Sequence, residues 1–276
     1  LLENFPLSDW GHNSLKSSHI MIEVMKRAYA DRSEYLGDPD FSDVPVRQLI
    51  SEAYEQSILK NLNLREPTPS TNIRPGTLPH PGESPETTHF SIVDADGNAV
   101  SNTYTMNFSF GSGIMTSNTG ILMNNEMDDF SAKPGVPNAY GLIGGEANAV
   151  QPGKRPLSSM TPTIVLKDGQ VHIVTGSPGG SRIINTVLHV ILNLLTFDMN
   201  AAEANHAPRF HHQWLPDRVR IERGFPVDTH RMMEELGYGF EQSLNIGSAQ
   251  TVVRDSNGEL TASADPRRLG GSALVY

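Results

Sequence analysis

Three stretches of the sequence each contain two strand-like runs around a turn with Asp-Gly or Asn-Gly. They are residues 91–105 (SIVDADGNAVSNTYT), 163–176 (TIVLKDGQVHIVTG) and 251–264 (TVVRDSNGELTASA). Glycine in such a turn supplies the positive φ angle that tight hairpins require. Three hairpins in one chain predict antiparallel β-sheet, and any fold for this chain must accommodate them.

Helical spacing of apolar residues marks four further stretches. We predict helices over residues 13–33, 46–62, 181–195 and 228–236. The first is amphipathic and has Asn13 or Ser14 as its N-cap. The third (SRIINTVLHVILNLL) is apolar enough to lie deep between other layers. Because strand pairs and helices alternate in blocks, the pattern predicts an α+β sandwich.

Composition excludes several classes of protein. The net charge of −10 comes without a basic cluster, so the chain lacks the electrostatic footprint of a nucleic-acid-binding protein. No run approaches the roughly 18 apolar residues expected of a membrane span. The absence of cysteine excludes disulfides and cysteine nucleophiles, and it fits a reducing or an oxidising compartment.

The sequence starts at Leu1-Leu2, without Met or a secretory signal. This start leads us to expect a longer parent polypeptide.

A segment rich in proline, glycine and polar residues, 64–86, separates the helical first part from the strand-rich remainder. Its composition is typical of an extended, mobile linker with no packed core of its own. The linker ends at Glu86, and Thr87 opens the strand-like run TTHFSIV. Threonine is β-branched and favours strands, so its presence at position 87 needs no chemical explanation.

The alternative for Thr87 is that it is a nucleophile. A threonine hydroxyl attacks poorly until a base takes its proton, and one such base is the free α-amine of the same residue once it is N-terminal. The pKa of such an amine is about 7.7 to 8.0, so it acts as a base near neutral pH. This mechanism requires cleavage of the Glu86-Thr87 bond, at the end of the accessible linker.

Several long motifs resemble the γ-glutamyltransferase (γ-glutamyl transpeptidase) family of N-terminal-nucleophile hydrolases. In order they are YADRSEYLGDPDF, TTHFSIVDADGNAVSNTYTMNFSFGSGIM, GILMNNEMDDFSAKPGVPNAYGLIGG, KRPLSSMTPTIV, TGSPGGSRI, PRFHHQWLPD and ADPR. The resemblance covers nearly the whole chain and implies the four-layered αββα fold. It also implies that residues 1–86 are the end of a large subunit and that residues 87–276 are the catalytic small subunit, both parts of one domain.

By this resemblance, autocatalytic cleavage of the Glu86-Thr87 bond frees Thr87, which attacks a γ-glutamyl carbonyl. Thr105 hydrogen-bonds the Thr87 hydroxyl, although without the family it would be an exposed strand threonine. Gly179 and Gly180 form the oxyanion hole, a role that suits backbone N–H groups directly before a helix. A phosphate loop has similar parts, but GSPGGS lacks the Lys-Ser/Thr ending of a Walker motif.

The resemblance also assigns a pocket for the glutamyl end of the substrate, whose α-amine needs acceptors and whose α-carboxylate needs donors. Asn107, Glu126 and Asp129 match the family's α-amino contacts, and Ser158 and Ser159 match its α-carboxylate contacts. Taken alone, NNEMDDF is a solvated acidic turn or a helix start, and SSM is a loop. The family's carboxylate-binding arginine belongs to the early large subunit, which lies outside this sequence.

Residues 133–145 (KPGVPNAYGLIGG) predict a lid that excludes water, with Tyr140 at its tip by resemblance, and an ordinary surface loop is the alternative. DADGN (94–98) lacks the spacing of a calcium loop, so we expect a plain turn.

His211 and His212 are adjacent, and two histidines could bind a metal ion. However, adjacent histidines in a strand point to opposite faces. We predict no metal site and no cofactor.

The resemblance implies γ-glutamyl transfer and hydrolysis of glutathione and other γ-glutamyl amides, with an amino acid or peptide as acceptor. One alternative is a glutaryl or cephalosporin-type acylase, or a poly-γ-glutamate depolymerase, of the same superfamily. A substrate without an α-amine would not need Glu126 and Asp129, which favours a glutamyl substrate. From another class, an inactive scaffold or binding homologue is the alternative. The expected partner is the remainder of the large subunit, and family habit suggests a periplasmic or extracellular location.

Overall fold

The computed structural model describes residues 1–73, 87–139 and 141–275. The α-helices of these residues are α1 (Leu7–Trp10), α2 (Leu15–Tyr35), α3 (Val46–Leu49), α4 (Glu52–Lys60), α5 (Ile183–Leu195), α6 (Ala201–His206) and α7 (Val227–Glu235). The strands are β1 (Thr87–Val93), β2 (Ala99–Thr105), β3 (Thr163–Lys167), β4 (Gln170–Gly176), β5 (Phe210–His211), β6 (Val219–Ile221), β7 (Phe240–Gln242), β8 (Gln250–Arg254) and β9 (Leu260–Ala264). The chain is therefore α+β. None of the described helices combines the length and the apolar character needed to cross a membrane.

The chain divides into two compact units, each built from three segments. Unit 1 comprises Leu1–Ser84, Glu126–Ser158 and Phe210–Gln242, and unit 2 comprises Pro85–Asn125, Ser159–Arg209 and Ser243–Tyr276. The predicted subunit boundary at residues 86 and 87 concerns cleavage of a peptide bond, so it stays a prediction.

Helix α2 is the centre of unit 1. Ser14, one of its two predicted N-caps, accepts a hydrogen bond from the Ser17 N–H at 3.3 Å. The sequence predicts an amphipathic helix, but the structure also buries charged side chains of α2, among them Glu23, Lys26 and Arg27. Glu23 Oε2 lies 2.8 Å from Arg27 Nη1, and Glu23 Oε1 lies 3.4 Å from Lys26 Nζ. Mutual pairing is what makes the burial of these charges tolerable.

The first part of the predicted linker, residues 64–73, is packed in unit 1, which differs from the expected mobile segment. Ser70 is fully buried, and its carbonyl oxygen accepts a hydrogen bond from Trp214 Nε1 at 2.9 Å. Its N–H donates to Asp217 Oδ2 at 2.8 Å. These partners are more than 140 residues away, so composition alone does not reveal them. Residues 74–86 lie outside the described residues.

The helix predicted over residues 46–62 is divided into α3 and α4. Ser51 lies at the division and caps α4 by accepting a hydrogen bond from the Tyr54 N–H at 3.3 Å. A serine that caps a new helix in this way ends the preceding one. The other predicted helices, over residues 181–195 and 228–236, correspond to α5 and α7.

Unit 2 contains the three predicted hairpins in two packed sheets. Strands β1 and β2 form one sheet, and β4 pairs with β8 so that the other two hairpins make a second sheet in the order β3-β4-β8-β9. Helix α5 and the β1-β2 hairpin both pack on β4. Ile173 and Val174 are neighbours in β4, and both are fully buried. Since neighbouring strand residues point to opposite faces, β4 is covered on both sides.

The β1-β2 hairpin approaches the larger sheet through short polar side chains. Ser91 Oγ donates to the Gln250 carbonyl oxygen and Ser101 Oγ donates to the Thr175 carbonyl oxygen, both at 2.9 Å. The close approach also depends on Gly176, because a Cβ atom there would overlap the imidazole of His89. This contact fixes the start of β1 against the larger sheet.

Candidate active site

Thr87 is the first residue of β1, and the antiparallel register places it opposite Thr105, the last residue of β2. The Thr87 hydroxyl donates to Thr105 Oγ1 at 3.4 Å. Thr105 Oγ1 also accepts the Asn107 N–H at 2.9 Å, which fixes the position of this oxygen. The structure thus brings Thr87 and Thr105 together, and a backbone N–H orients the Thr105 side chain.

Asn107 lies in the turn that follows β2. It is buried and has a φ of 71°, a left-handed conformation that Asn tolerates better than most residues. Its Nδ2 donates to the Asn125 carbonyl oxygen at 3.1 Å, and Asn125 Oδ1 accepts the Phe108 N–H at 3.0 Å. Because Nδ2 is used as a donor, Oδ1 is the end of the Asn107 amide that offers an acceptor to an ammonium group.

The turn between β4 and α5 contains Gly179 and Gly180. Their φ angles are 140° and 56°, and a value of 140° is essentially restricted to glycine. A side chain at 179 would also meet the backbone of Gly247, at 3.3 Å from its Cα. Gly180 begins the 3-10 helix that leads into α5. Backbone N–H groups at such a helix start favour negative charge.

A cavity of about 220 Å³ in unit 2 is lined by both Thr87 and Gly179. Three arginines, Arg182, Arg267 and Arg268, also line it. Arg268 Nη1 donates to the Thr87 carbonyl oxygen at 2.8 Å. Larger cavities of about 540 and 460 Å³ in the same unit do not include Thr87, so the chemistry of the lining and not the volume selects the site. A carbonyl bound in the smaller cavity would face both a hydroxyl nucleophile and the glycine turn.

Glu126 and Asp129 lie on a short 3-10 helix of unit 1. Burial, together with the charge of Glu126, raises the pKa of Asp129 to about 7. Burial also raises the pKa of Glu126. Two neighbouring carboxyl groups that resist joint ionisation gain most from a cation placed beside them. The pair is therefore suited to an ammonium group.

The structure distributes the predicted site residues over both units. Unit 2 contains Thr87, Thr105, Asn107, Ser159, Gly179 and Gly180. Unit 1 contains Glu126, Asp129 and Ser158. Ser158 is exposed and Ser159 is half-buried. The predicted cleavage-site residue Glu86 and the predicted lid residue Tyr140 lie outside the described residues.

Two residues near Thr87, Arg268 and His89, were not predicted as site residues from the sequence. His89 shares the inner face of β1 with Thr87, and its ring nitrogens lie 2.7 Å from Thr103 Oγ1 and 3.0 Å from Ser91 Oγ. Ser91 already donates its hydroxyl proton elsewhere, so His89 Nε2 carries the proton in the neutral ring. Burial lowers the pKa of His89 to about 4. The two-residue spacing from Thr87 was a signal in the sequence for His89.

His211 and His212 each have a side-chain partner in unit 1. His211 Nε2 lies 2.9 Å from Gln213 Oε1, and His212 Nε2 lies 3.1 Å from Asp217 Oδ1. Within the described ranges, no three His, Cys, Asp or Glu side chains are grouped so that they could hold a metal ion. Both histidines therefore have hydrogen-bonding roles.

The sequence of this chain is similar to curated bacterial enzymes. It is 55% identical to the glutathione hydrolase proenzyme of Escherichia coli (strain K12), over 100% of this chain and 47% of the relative. It is 48% identical to the glutathione hydrolase proenzyme of Pseudomonas aeruginosa, over 95% of this chain and 47% of the relative. The chain thus spans about half the length of the curated relatives it matches.

Solved structures give a consistent result. A γ-glutamyltranspeptidase from Helicobacter pylori aligns with a TM-score of 0.64 and 52% identity, covering 66% of this chain and 100% of that chain. A cephalosporin acylase from Bacillus halodurans aligns with a TM-score of 0.80 and 27% identity, covering 97% of this chain and 46% of that chain. The γ-glutamyltranspeptidase family model matches residues 1–275, and the chain belongs to this family.

Proposed function

We propose that this chain carries the catalytic machinery of a γ-glutamyltransferase and glutathione hydrolase. The observation that carries the proposal is the cavity that joins the hydroxyl-paired Thr87 to the Gly179 turn. The names of the curated relatives, glutathione hydrolase proenzymes, support both the reaction and the need for processing. The reaction requires no cofactor, because the nucleophile and its base come from one residue.

Processing of the Glu86-Thr87 bond creates the catalytic base. Before cleavage the Thr87 nitrogen is an amide, whose lone pair is delocalised and does not accept a proton at neutral pH. After cleavage it is an amine with a pKa of about 7.7 to 8.0, which accepts the proton of the Thr87 hydroxyl. Thr105 accepts a hydrogen bond from that hydroxyl before the attack and so orients it.

The acyl transfer then has two halves. Thr87 Oγ1 attacks the γ-glutamyl carbonyl, the backbone N–H groups of Gly179 and Gly180 stabilise the oxyanion, and the α-amine delivers its proton to the leaving amine. In the second half, water or an acceptor amine attacks the ester, loses a proton to the α-amine, and releases Thr87 Oγ1, which is reprotonated. An amine acceptor gives transfer, and water gives hydrolysis.

The glutamyl end of the substrate is recognised by charge. We assign its α-ammonium to Glu126, Asp129 and the amide oxygen of Asn107, and its α-carboxylate to Ser158 and Ser159. The closeness of the Glu126 and Asp129 carboxyl groups supports this assignment, since a bound cation would stabilise their ionised forms. The lid role of Tyr140 and a periplasmic or extracellular location belong to the same proposal, and both derive from the family resemblance.

The remainder of a large subunit is the proposed partner, because the chain spans about half the length of its relatives. We propose that it supplies the fourth layer of an αββα sandwich and the arginine for the α-carboxylate. The outer face of the β1-β2 hairpin supports this proposal. Phe90, Ile92, Val100 and Tyr104 are all exposed there, at 39 to 57% of their surface, which is unusual for a row of large apolar residues.

Release of p-nitroaniline from γ-glutamyl-p-nitroanilide tests the role of Thr87. With the large-subunit portion present, Thr87→Ala should abolish both subunit cleavage and p-nitroaniline release. Thr88→Ala is the matched control, since Thr88 is the adjacent threonine on the opposite face of β1, and this variant should retain both. Activity that survives Thr87→Ala would remove Thr87 from its role, and with it the proposed function.

A cephalosporin-type acylase is the second candidate, favoured by the alignment with the Bacillus halodurans acylase over 97% of this chain. The Glu126 and Asp129 pair distinguishes the two candidates. Asp129→Asn should reduce turnover of γ-glutamyl-p-nitroanilide much more than turnover of glutaryl-p-nitroanilide, which lacks the α-amine. Equal losses would favour the acylase. If the unmodified, processed protein turns over neither compound, the inactive binding homologue becomes the better description.

A further inference from the structure

The cavity beside Thr87 carries positive charge that the proposed glutamyl contacts do not use. Among the residues that line it, three are arginines and none is an aspartate or glutamate. Two of the arginines have evident structural partners. Arg267 Nη1 lies 3.1 Å from Asp265 Oδ1, and Arg182 Nε donates to the Gly179 carbonyl oxygen at 3.4 Å. Arg267 and Arg182 thus stabilise the residues that line the cavity. The third arginine, Arg268, contacts the backbone of Thr87 instead.

Arg268 is exposed, and its described hydrogen bond is the one from Nη1 to the Thr87 carbonyl oxygen at 2.8 Å. A guanidinium group has five N–H donors in a planar fork that matches a carboxylate. One donor serves the backbone of the nucleophile, while the side chain lines the same cavity as Gly179. A positively charged, solvent-accessible fork beside the reacting atoms is a suitable partner for an anionic group of a reactant.

The reaction limits which reactant this is. In the second half-reaction the attacking amine must give its proton to the Thr87 α-amine, so the acceptor lies against the backbone of Thr87. In the first half-reaction the leaving amine takes the same position. The carboxylate of an amino acid or dipeptide lies one or two residues from its amine, at about 3.3 to 3.6 Å per residue. That distance is within reach of a guanidinium group bonded to the Thr87 carbonyl oxygen.

We propose that Arg268 binds the α-carboxylate of the amino acid or short peptide that enters as acceptor or leaves as the first product. This inference rests on the proposed function and adds a specificity residue to it. The ion pair would hold an acceptor amine beside the ester, and it would therefore favour transfer to carboxylate-bearing amines over transfer to uncharged ones. The covalent steps remain those of the two half-reactions.

The test compares two acceptors that differ only in the carboxylate, glycylglycine and glycylglycinamide, with γ-glutamyl-p-nitroanilide as donor. The protein is used with its large-subunit portion, the γ-glutamyl products are separated by chromatography, and kcat/KM is expressed per free amine. A charge-assisted hydrogen bond predicts that the unmodified protein prefers glycylglycine about tenfold or more. Arg268→Gln should bring this ratio close to one, and Arg268→Lys should give an intermediate ratio.

The ratio of kcat/KM for glycylglycine and glycylglycinamide distinguishes two roles of Arg268, namely binding of the acceptor carboxylate and positioning of the Thr87 backbone. If Arg268 only positions the Thr87 backbone, Arg268→Gln lowers both rates and leaves the ratio unchanged, which would overturn the inference while the proposed function stands. A ratio near one in the unmodified protein would also overturn it, whether or not any variant folds. Arg223→Gln, which removes an exposed arginine outside the cavity, should leave the ratio unchanged. A lack of p-nitroaniline release by the unmodified protein would refute the proposed function itself.

Discussion

The surroundings of α2 in unit 1 and the contact between the β1-β2 hairpin and the larger sheet in unit 2 both bury polar groups, but of different kinds. Around α2 the groups are charged, and Lys26 Nζ lies within 3.4 Å of Glu23 and within 3.2 Å of Asp217. Beneath the hairpin they are neutral, as in the contact of His89 with Thr103 at 2.7 Å. Loss of one partner leaves a buried charge uncompensated and strongly destabilises the fold. A neutral hydroxyl can instead change its hydrogen-bond partner with little change of local charge.

This difference suggests a division of roles. The α2 ion pairs fix the structure of unit 1, and their contribution should appear in stability. The inner face of the hairpin carries Thr87 and Thr105, and under the proposed function its contribution should appear in turnover.

Removal of the central charge around α2 should cause the largest loss of stability. Although burial alone raises the pKa of Glu23, the charges of Lys26 and Arg27 hold it below its ordinary value. Glu23→Ala would leave both cations buried without their common partner, which costs about 3 to 5 kcal/mol of unfolding free energy. Urea denaturation measures the loss, with Glu34→Ala, an exposed glutamate of the same helix, as control. A loss no larger than that of the control would break the comparison.

An added methyl group at Gly179 should affect turnover more than stability. The side chain would distort the turn to which we assign the oxyanion hole, and loss of one such donor slows catalysis by about 100- to 1,000-fold. Gly169→Ala is the control, because Gly169 also has a positive φ but has no neighbouring atom within 4 Å of an added Cβ. Similar turnover numbers for the two variants would exclude an oxyanion role for Gly179.

The carboxyl pair of Glu126 and Asp129 is an exception in unit 1, because we assign these charged groups to substrate binding and not to stability. The pair therefore tests whether charges in unit 1 can also affect turnover. A folded pKa of about 7 lies above the unfolded value of 3.8, so Asp129 is mainly protonated below pH 7. It then contributes no full negative charge to ammonium binding. The ratio of kcat/KM for γ-glutamyl and glutaryl anilides should therefore rise with pH up to about 7.

Titration of the Thr87 amine changes kcat/KM for both anilides equally, so its effect cancels in the ratio. In Asp129→Asn the rise should disappear. The same pKa difference predicts that the unmodified protein loses stability, relative to Asp129→Asn, as pH increases from about 4 to 7, because the folded state binds the extra proton. A ratio independent of pH in the unmodified protein would contradict the assignment of Asp129 to the ammonium group.

Removal of the Thr105 hydroxyl should have the smallest of these effects. Thr105→Val keeps the shape of the side chain but removes the acceptor for the Thr87 hydroxyl, a neutral hydrogen bond worth about 0.5 to 1.5 kcal/mol. Turnover should fall by roughly two- to tenfold. Thr105→Ser, which keeps the hydroxyl, should stay closer to the unmodified protein. If both variants lose turnover equally, the hydroxyl has no specific role.

Local features of the sequence predicted much of the fold. The three hairpins follow from Asp-Gly and Asn-Gly turns, which act within a few residues. Short elements were missed, because β5 has two residues and α6 has six, too few for periodicity to be visible. The sequence also could not show that residues 64–73 are packed, since Trp214 and Asp217 supply their partners from far along the chain.

The candidate site shows the same limit. Thr87 lies at the boundary between a loop-like segment and a strand, and this boundary can be predicted from the sequence. Arg268 contacts Thr87 across 181 residues, and only the folded chain brings them together. The strand alternation of β1 placed His89 on the face of Thr87, but the sequence did not tell which face would be inside.

The central claim is that Thr87 becomes reactive when its own backbone nitrogen is released as an amine. Mass spectrometry with N-terminal sequencing of the purified, active protein tests it most directly. We predict two polypeptides, one of which begins at Thr87, whereas the Thr87→Ala variant should remain uncut. An intact chain with full γ-glutamyl transfer activity would contradict the account.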